Sequence, residues 1–355
     1  MMSGDAAPAL PPEQTGPAAW YGPQWRDRDD WILHLTDADV AEVEAALRAW
    51  SARGMQPDTP PDAADFPLPG LAPRLAAIRD ALLHGRGFAL VRGMPVGRWH
   101  ARDAALAFVG LGAHLGRARS QNAAGHLLGH VKDLGLSSAD PAVRIYQTHE
   151  RQTFHTDSCD VVGLMCLSEA RRGSDSLLVS STTIFNELRR RRPDLAALLL
   201  EPLATDRRGE VPAGMKPYFE IPVFNWHAGL LSAIYQRQYI DSAQRFPEAP
   251  RLTPRHVEAL DAFDALAEDP ALHLTMRLAP GDMQFVHNHT MLHDRSAFED
   301  WPEPQRRRHL LRLWLAVPGA RPLPAVFAQR YGSVTVGDRG GVLVPGTRLR
   351  MPLDA

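Results

Sequence analysis

The stretch Phe154-His155-Thr156-Asp157 decides how the rest of the chain is interpreted. In an extended strand, residues i and i+2 point to the same face, so His155 and Asp157 can present an imidazole and a carboxylate to one ion. Another pair of this kind, His256 and Glu258, falls in a predicted helix, where residues two apart do not face each other. The first pair therefore supplies two ligands of a candidate metal site.

A third ligand is expected from residues 283–295, which follow the turn Pro280-Gly281-Asp282. This segment contains His287, His289 and His293. Two histidines and one carboxylate on one face of a metal, with the other positions open, are the ligand set of non-haem Fe(II) oxygenases. We favour His293 as the third ligand, but the spacing alone leaves His287 and His289 open.

The run from Arg308 to Val317 carries two arginines within an apolar strand pattern. Period two places Arg308, Leu310, Arg312 and Trp314 on one face. An unpaired buried cation is costly, so these arginines predict an anionic ligand or buried acids such as Glu299 and Asp300. Their α carbons would lie about 13 Å apart, so the two arginines need not bind the same carboxylate.

Composition limits the class of protein. The chain has 355 residues, is 45% hydrophobic and has a formal net charge of -2, which predicts one elaborated domain. The near-neutral charge gives no indication of a nucleic-acid or anionic-membrane partner, so we expect a small molecule as the partner. Cys159 and Cys166 are expected to be buried, reduced thiols. No signal or membrane-spanning run is found, so a cytoplasmic protein is expected, with a homo-oligomer as a common default.

The order of elements predicts an α+β fold. Residues 1–30 are expected to form an irregular arm whose tryptophans pack on the body, and residues 31–355 a single domain with flanking helices and a C-terminal extension. Thr36 and Thr253 are predicted to cap helices, and residues 183–200 are predicted to form one helix. Because strands outnumber crossover helices around the motifs, the core is predicted to be an antiparallel barrel or jelly roll.

The substrate side of the site is the least defined part of the sequence. A polar loop before the metal strand and an irregular segment after residue 200 are the candidates to line it. The predicted substrate-binding residues are Gln121, Asn122, Tyr218, Phe224, Asn225, Trp226 and Arg312. If Arg312 is free for the substrate, a small organic acid, an amino-acid-like molecule or a related natural product is favoured.

From about Gly87 to Val317 the chain resembles the TauD/TfdA family of Fe(II)- and 2-oxoglutarate-dependent dioxygenases, in the clavaminate synthase-like superfamily. The resemblance rests on His155-Thr156-Asp157, Gly173-Ser174-Asp175-Ser176, Gly281-Asp282, His293 and the arginines at 308 and 312. It implies a double-stranded β-helix core in which His155, Asp157 and His293 bind iron.

The same resemblance implies roles for three further residues. Arg308 would bind the distal carboxylate of 2-oxoglutarate, and Ser176 would contact that cosubstrate. Arg312 would approach either the substrate's anionic group or the other end of the cosubstrate. The implied reaction uses O2, releases succinate and CO2, and oxidises an unactivated C–H bond. A carboxylate at Asp157 favours hydroxylation over halogenation, because a halogenase needs that coordination place for halide.

Two other classes of protein remain as alternatives from the residues alone. A zinc hydrolase could use His155, Asp157 and one of the three downstream histidines, with a metal-bound water as nucleophile. A non-catalytic ligand-binding β-barrel would instead keep these histidines as hydrogen-bonded core residues. The hydrolase needs no inward-facing arginine at position 308, and the binder predicts no stoichiometric metal.

Overall fold

The computed structural model describes residues 10–54, 59–138 and 143–354. Its α-helices are α1 (Asp37–Ala52), α2 (Ala72–Leu83), α3 (Ala101–Ala113), α4 (Ser181–Arg191), α5 (Pro193–Leu198), α6 (Arg237–Ala243), α7 (Pro254–Ala267) and α8 (Ala328–Tyr331). Its strands are β1 (Ile32–His34), β2 (Phe88–Arg92), β3 (Arg117–Ala118), β4 (Leu128–Val131), β5 (Gln152–His155), β6 (Val161–Ser168), β7 (Arg172–Gly173), β8 (Ser176–Ser180), β9 (Pro202–Asp206), β10 (Tyr218–Pro222), β11 (Phe224–His227), β12 (Leu230–Ala233), β13 (Leu274–Met276), β14 (Met283–His287), β15 (Met291–Arg295), β16 (Phe298–Glu299) and β17 (His309–Ala316).

Two sheets enclose the centre of the molecule. The larger sheet has the order β1-β2-β14-β6-β17-β3, with β4 also paired to β17, and the smaller has the order β13-β8-β15-β5. Apart from the parallel pair β1-β2, their strands pair antiparallel. Phe88 and Trp314 from the larger sheet share one buried apolar cluster with Leu178 and Met291 from the smaller. Two antiparallel sheets packed face to face form a jelly roll, so the predicted α+β jelly-roll core is confirmed.

Helices cover the outer faces of both sheets. Phe108 of α3 packs with Leu313 of the larger sheet, in a cluster that also includes α1 and α2. Phe263 of α7 packs with Leu292 of the smaller sheet, together with α4 and α5. Burial of these apolar faces is the main favourable term that holds the layers together. In the part of the chain that the structure describes, each helix is too short or too polar to cross a bilayer.

The helix starts follow their capping residues. The Thr36 hydroxyl accepts a hydrogen bond from the Asp39 backbone N–H at 3.2 Å, and the Asp39 carboxylate accepts one from the Thr36 backbone N–H at 2.7 Å. This reciprocal capping box begins α1 as predicted. The helix predicted over residues 183–200 is two helices, because Pro193 lacks an N–H and begins α5 instead of continuing α4.

The N-terminal arm packs its aromatic side chains on the larger sheet. Residues 10–30 are largely irregular, while residues 1–9 of the predicted arm lie outside the described residues. The rings of Trp20 and Trp25 lie 5.1 and 5.3 Å from the ring of Phe88. The Thr183 hydroxyl donates to the Trp20 carbonyl at 2.7 Å, which ties the arm to the start of α4.

Strand β17 has one apolar face and one face that also carries arginine, as its period-two pattern predicts. Leu311, Leu313 and Leu315 pack against the helices outside the larger sheet. Arg308, which precedes the strand, and Arg312 line a cavity between the two sheets. The strand therefore carries the two arginines into the interior of the jelly roll.

Both cysteines are free and buried, which agrees with the prediction. Burial raises the pKa of Cys166 to about 12 and raises that of Cys159 well above its usual value. A thiol that stays protonated at neutral pH is a poor nucleophile and a poor metal ligand. These two side chains therefore act as small apolar residues of the core.

Candidate metal centre and adjoining cavities

Three predicted ligands meet where the end of β5 pairs with the middle of β15. His155, the last residue of β5, lies directly opposite His293 of β15, and their ring centroids are 4.1 Å apart. Asp157 follows two residues later, with Oδ1 3.9 Å from Nε2 of His155 and Oδ2 3.7 Å from Nε2 of His293. The three ligand atoms lie within 4.8 Å of one another, and no second group of this kind occurs among the described residues.

The carboxylate of Asp157 is held by donors from the larger sheet. The Trp314 indole N–H donates to Oδ2 at 2.8 Å, and a guanidinium nitrogen of Arg312 lies 3.5 Å from the same oxygen. Burial alone would raise the pKa of Asp157, but the charge of Arg312, the neighbouring imidazoles and the Trp314 N–H outweigh burial and lower the pKa to about 2. Asp157 is therefore an anion at neutral pH, as a metal ligand must be.

Both histidines are held neutral. Burial, followed by the neighbouring His155, lowers the pKa of His293 to about 3, and burial also lowers the pKa of His155. Nδ1 of His155 lies 2.9 Å from the Thr153 carbonyl, so this nitrogen carries the proton and Nε2 keeps its lone pair. Two neutral imidazoles and one carboxylate form a donor set that fits Fe(II), with coordination positions left for other ligands.

The alternative ligands His287 and His289 have other partners. Nδ1 of His287 lies 2.8 Å from the Thr290 hydroxyl, and Nε2 of His289 lies 2.9 Å from Oδ1 of Asp160. Neither histidine belongs to the group formed by His155 and Asp157. The structure thus brings His293, and not these two residues, to the first pair.

A first cavity extends from the two ligand histidines to Arg308. Arg308 is only 3% exposed, and its Nε donates to the Ser174 hydroxyl. Its Nη1 has no partner among the described residues. Asp300 accepts only the backbone N–H of Arg308, at 2.6 Å, and Glu299 pairs with another arginine. Neither acid therefore forms an ion pair with the Arg308 guanidinium in the described chain.

Arg295 adds a second buried cation to this cavity. It lies two residues after His293 in β15, so the two side chains share a face. Its Nε and Nη1 lack partners in the described chain, and its Nη2 donates to the carbonyls of Thr148 and Glu150. Burial lowers the pKa of Arg295 to about 10 and that of Arg308 to about 9. Two cations with free donors in one cavity favour an anionic ligand there.

The turn before β8 shapes the far end of the first cavity. Gly173 and Ser174 both have left-handed backbone conformations, with φ of 71° and 66°. This conformation is uncommon for a residue other than glycine, and here it accompanies the contact between the Ser174 hydroxyl and Arg308. Ser176 also lines the cavity, and its hydroxyl donates to Oε1 of Gln284 at 3.1 Å.

A second cavity also adjoins the metal ligands and has a different lining. Its walls include the aromatic residues Tyr146, Phe219, Tyr235, Tyr239 and Trp314, and the arginines Arg144, Arg312 and Arg330. Arg312 and Tyr146 border both cavities, as do Gln152 and His155. The three ligands thus lie between a cavity rich in unpaired cations and one lined by aromatic rings and arginines.

Comparison with known proteins identifies the family to which a chain with these residues belongs. Residues 51–314 match the model of the family described as taurine catabolism dioxygenase TauD, TfdA family. The chain belongs to this family. As a TauD/TfdA protein it is an oxidoreductase of the dioxygenase class, with Fe(II) and 2-oxoglutarate as cofactors. Family membership disfavours the zinc hydrolase and the non-catalytic binder.

Individual relatives support the same membership. The chain is 32% identical over 329 residues to FR-33289 synthase of Streptomyces rubellomurinus, which covers 90% of this chain and 95% of the relative. It is also 32% identical over 304 residues to the taurine hydroxylase-like protein SAT17 of Stachybotrys chartarum, covering 83% of this chain and 77% of the relative. A solved structure of asparagine oxygenase with Fe(II), 2S,3S-3-hydroxyasparagine and succinate has a TM-score of 0.61 and 18% identity, covering 80% of this chain and 93% of the other, and shows a shared fold.

In this TauD/TfdA chain, Gln121 lies beside the site without facing either cavity. Its side-chain oxygen accepts from Nε of Arg312 at 2.7 Å, and its amide nitrogen donates to the Arg312 carbonyl at 2.7 Å. Asn122 follows Gln121 and lines neither cavity, and its side-chain oxygen accepts the His126 backbone N–H at 3.3 Å. Gln121 therefore fixes an arginine of the site, and its contact with substrate stays a prediction.

The four predicted substrate residues after position 200 are also placed elsewhere. Tyr218 donates to the Glu248 carbonyl at 2.8 Å, Phe224 lies in the core beneath the smaller sheet, Asn225 donates to the Pro222 carbonyl at 2.7 Å, and Trp226 is 41% exposed on a hairpin. None of them lines either cavity. In β10 it is the neighbouring Phe219 that lines the second cavity, because adjacent strand residues point to opposite faces.

Ser174, Arg295 and Arg330 are among the residues of the site that were not predicted from the sequence. Ser174 could have been found from its place beside glycine in a turn that already drew notice. Arg295 could have been found from its spacing of two from His293. Arg330 gave no local signal, because arginine is abundant in this chain and residue 330 lies outside the strand pattern.

Proposed function

We propose that the chain hydroxylates an unactivated C–H bond of a small, anionic, amino-acid-like molecule, with His155, Asp157 and His293 as the iron ligands and Arg308 as the residue that binds the distal carboxylate of 2-oxoglutarate. The observation that carries the proposal is the buried, acid-free guanidinium of Arg308. It opens on the same cavity as the two ligand histidines.

The first cavity suits a dicarboxylate. One end of 2-oxoglutarate would lie at the three ligands and the other at Arg308, where a charge-assisted and bidentate contact is available. Ser174 orients that guanidinium through its hydroxyl, and Arg295 adds a second positive charge nearby. Ser176 supplies a hydroxyl on the same wall.

The second cavity suits the molecule that is oxidised. Bound iron, with 2-oxoglutarate and O2, supplies the oxidising chemistry. The residues of the chain position the reactants and exclude water. Arg312 and Trp314 hold the Asp157 carboxylate towards the histidines, and the aromatic walls give an apolar surface for the carbon skeleton. A carboxylate ligand at position 157 favours hydroxylation as the outcome.

Anaerobic titration of the iron-loaded protein with 2-oxoglutarate tests the proposal. We expect a weak visible charge-transfer band in the wild type, and a shift of its midpoint by on the order of 100-fold in Arg308→Met, since a buried charge pair is worth several kcal/mol. Arg171→Met, which removes an exposed arginine paired with Glu299, serves as the matched control and should keep the wild-type midpoint. A folded, iron-loaded wild type without the band would refute the proposal.

A further inference from the structure

Among the described residues that line the second cavity, cationic side chains outnumber anionic ones. Arg144, Arg312 and Arg330 are its cations, and Asp157 and Asp206 are its anions. Asp206 is already neutralised from outside the lining, because Nη1 of Arg245 lies 2.8 Å from its Oδ2. In the described chain Asp206 forms no ion pair with an arginine that lines the cavity.

Two of the three arginines have acidic partners. Arg144 forms an ion pair with Glu210. Arg312 lies 3.5 Å from the Asp157 carboxylate, and its guanidinium is also held between the rings of Tyr146 and Trp314, at 4.8 and 5.1 Å from their centroids. Both side chains are therefore fixed by contacts on the protein itself.

Arg330 is the third cation, and among the described residues it forms no ion pair. Its Nε donates to the Ser158 hydroxyl at 2.7 Å. Within the described residues its terminal nitrogens make no hydrogen bond to protein, and the guanidinium has no acid within 4.0 Å. Burial lowers the pKa of Arg330, and the opposing charge of Glu210, which is already paired with Arg144, does not offset that effect. An arginine that is fixed through Nε and has both terminal guanidinium nitrogens free can bind an oxyanion through two hydrogen bonds.

The position of Arg330 relative to the metal ligands limits the size of the ligand. Ser158, which orients the guanidinium, directly follows Asp157 in the chain. An oxyanion bound at Arg330 therefore places the rest of a small molecule beside the three metal ligands. Arg330 lies in α8, beyond residue 314 where the family match ends, so this contact comes from the part of the chain outside that match.

We propose that Arg330 is the substrate-specificity residue of the second cavity, and that it binds an oxyanion, carboxylate or phosphoryl, which lies a few bonds from the carbon to be oxidised. This inference rests on the proposed function for its statement about oxidation, but the anion-binding site itself does not depend on it. Tyr146, Tyr235 and Tyr239 line the space between the oxyanion and the ligands and suit an apolar or flat spacer.

The test uses the iron-loaded protein with saturating 2-oxoglutarate under anaerobic conditions, so that the first cavity is filled. Acetate, inorganic phosphate and methylphosphonate are titrated separately at constant ionic strength set with sodium chloride, and binding is followed by calorimetry and by perturbation of the charge-transfer band. We expect saturable binding of at least one of the three anions, and the preferred anion distinguishes a carboxylate from a phosphoryl substrate.

Variants separate this inference from the proposed function. Arg330→Met should weaken anion binding at least tenfold while the midpoint for 2-oxoglutarate stays unchanged, and Arg330→Lys should recover part of the loss. Arg117→Met, at an arginine whose side chain is 70% exposed, controls for the loss of one positive charge. No saturable binding of any anion to the wild type, or equal binding to Arg330→Met, overturns the inference and leaves the cosubstrate assignment intact. If the charge-transfer band is absent, calorimetry on the same protein still decides whether Arg330 binds the anion.

Discussion

Nε of Arg339 donates to Oδ1 of Asp160 at 2.8 Å, and neither side chain has any solvent exposure. Asp160 also accepts from the Val317 backbone N–H at 3.0 Å and lies 2.9 Å from Nε2 of His289. The backbone N–H of Gly341 reaches the Ser158 carbonyl at 2.7 Å. The C-terminal segment is therefore bound to the loop that carries Asp157, although it lies beyond the family match.

Removing one partner of this buried pair should destabilise the protein strongly. We expect Arg339→Met to lower the free energy of unfolding by about 3–5 kcal/mol, since Asp160 would keep a buried charge with one cation fewer. Arg117→Met breaks an exposed contact of 3.7 Å and should change stability by about 0–1 kcal/mol. Urea denaturation of the two variants measures both values. Equal small losses would show that the buried pair contributes little.

Loss of one metal ligand should abolish stoichiometric iron binding. In His293→Ala the remaining His155 and Asp157 provide only two protein ligands, so we expect far less than one iron per chain after anaerobic loading and desalting. His149→Ala is the matched control, because this side chain is 58% exposed and lies 3.2 Å from Asp133, away from the centre. Full iron occupancy in His293→Ala would return His287 and His289 to consideration as ligands.

Gln121 should matter for stability through Arg312. In Gln121→Leu, Nε of Arg312 loses its acceptor inside the protein, and an unsatisfied buried donor costs about 1–3 kcal/mol. Gln121→Glu keeps an acceptor at that position and should recover most of the loss. Thermal unfolding of the two variants beside the wild type gives the comparison. If both variants unfold like the wild type, the contact with Arg312 is not a structural requirement.

Stability should fall as the pH is lowered below the ordinary pKa of histidine. Burial lowers the pKa of His287 well below 6.5 and also lowers that of His289. The unfolded chain therefore binds more protons than the folded one at pH values below about 6.5, so the folded state loses free energy as the pH falls.

We expect each such histidine to cost roughly 1 kcal/mol between pH 7.5 and 5.5. The carboxylates with lowered pKa values, such as Asp160, act in the same direction but lose their contribution only below about pH 4. Urea denaturation of the metal-free protein across this range measures the slope. An unchanged free energy of unfolding from pH 7.5 to 5.5 would show that the buried histidines have the same pKa in the folded and the unfolded chain.

The residues of the site that are spaced as on one face of a strand could be predicted from the sequence. His155 and Asp157, Arg308 and Arg312 follow from spacing, and the capped start of α1 follows from Thr36 and Asp39. The jelly roll follows from the number of strands around these motifs. The roles of Arg308 and Ser176 remain proposals that the geometry supports.

The residues that line the proposed substrate cavity could not be predicted in this way. Tyr218 and Phe219 are adjacent, and only the pairing of β10 with β9 decides which of them lines a cavity. Gln121 is a polar loop residue, and its contact with Arg312 joins positions 191 residues apart. Arg330 lies in the second cavity, beside the metal centre, because of how the C-terminal segment folds, and no local sequence pattern predicts this. Long-range contacts of this kind are decided by tertiary packing, to which residue spacing gives no access.

Strand β15 is buried along its whole length, so its apolar pattern does not distinguish one face from the other. A slip of one residue against β5 would place Leu292 or Asp294 opposite His155, where the native pairing has His293. Only the native alignment completes the three ligands. A metal ion that binds this alignment and not its neighbours stabilises it by mass action. Iron would thus favour the native pairing of β15 with β5 during folding, before it takes part in any chemistry.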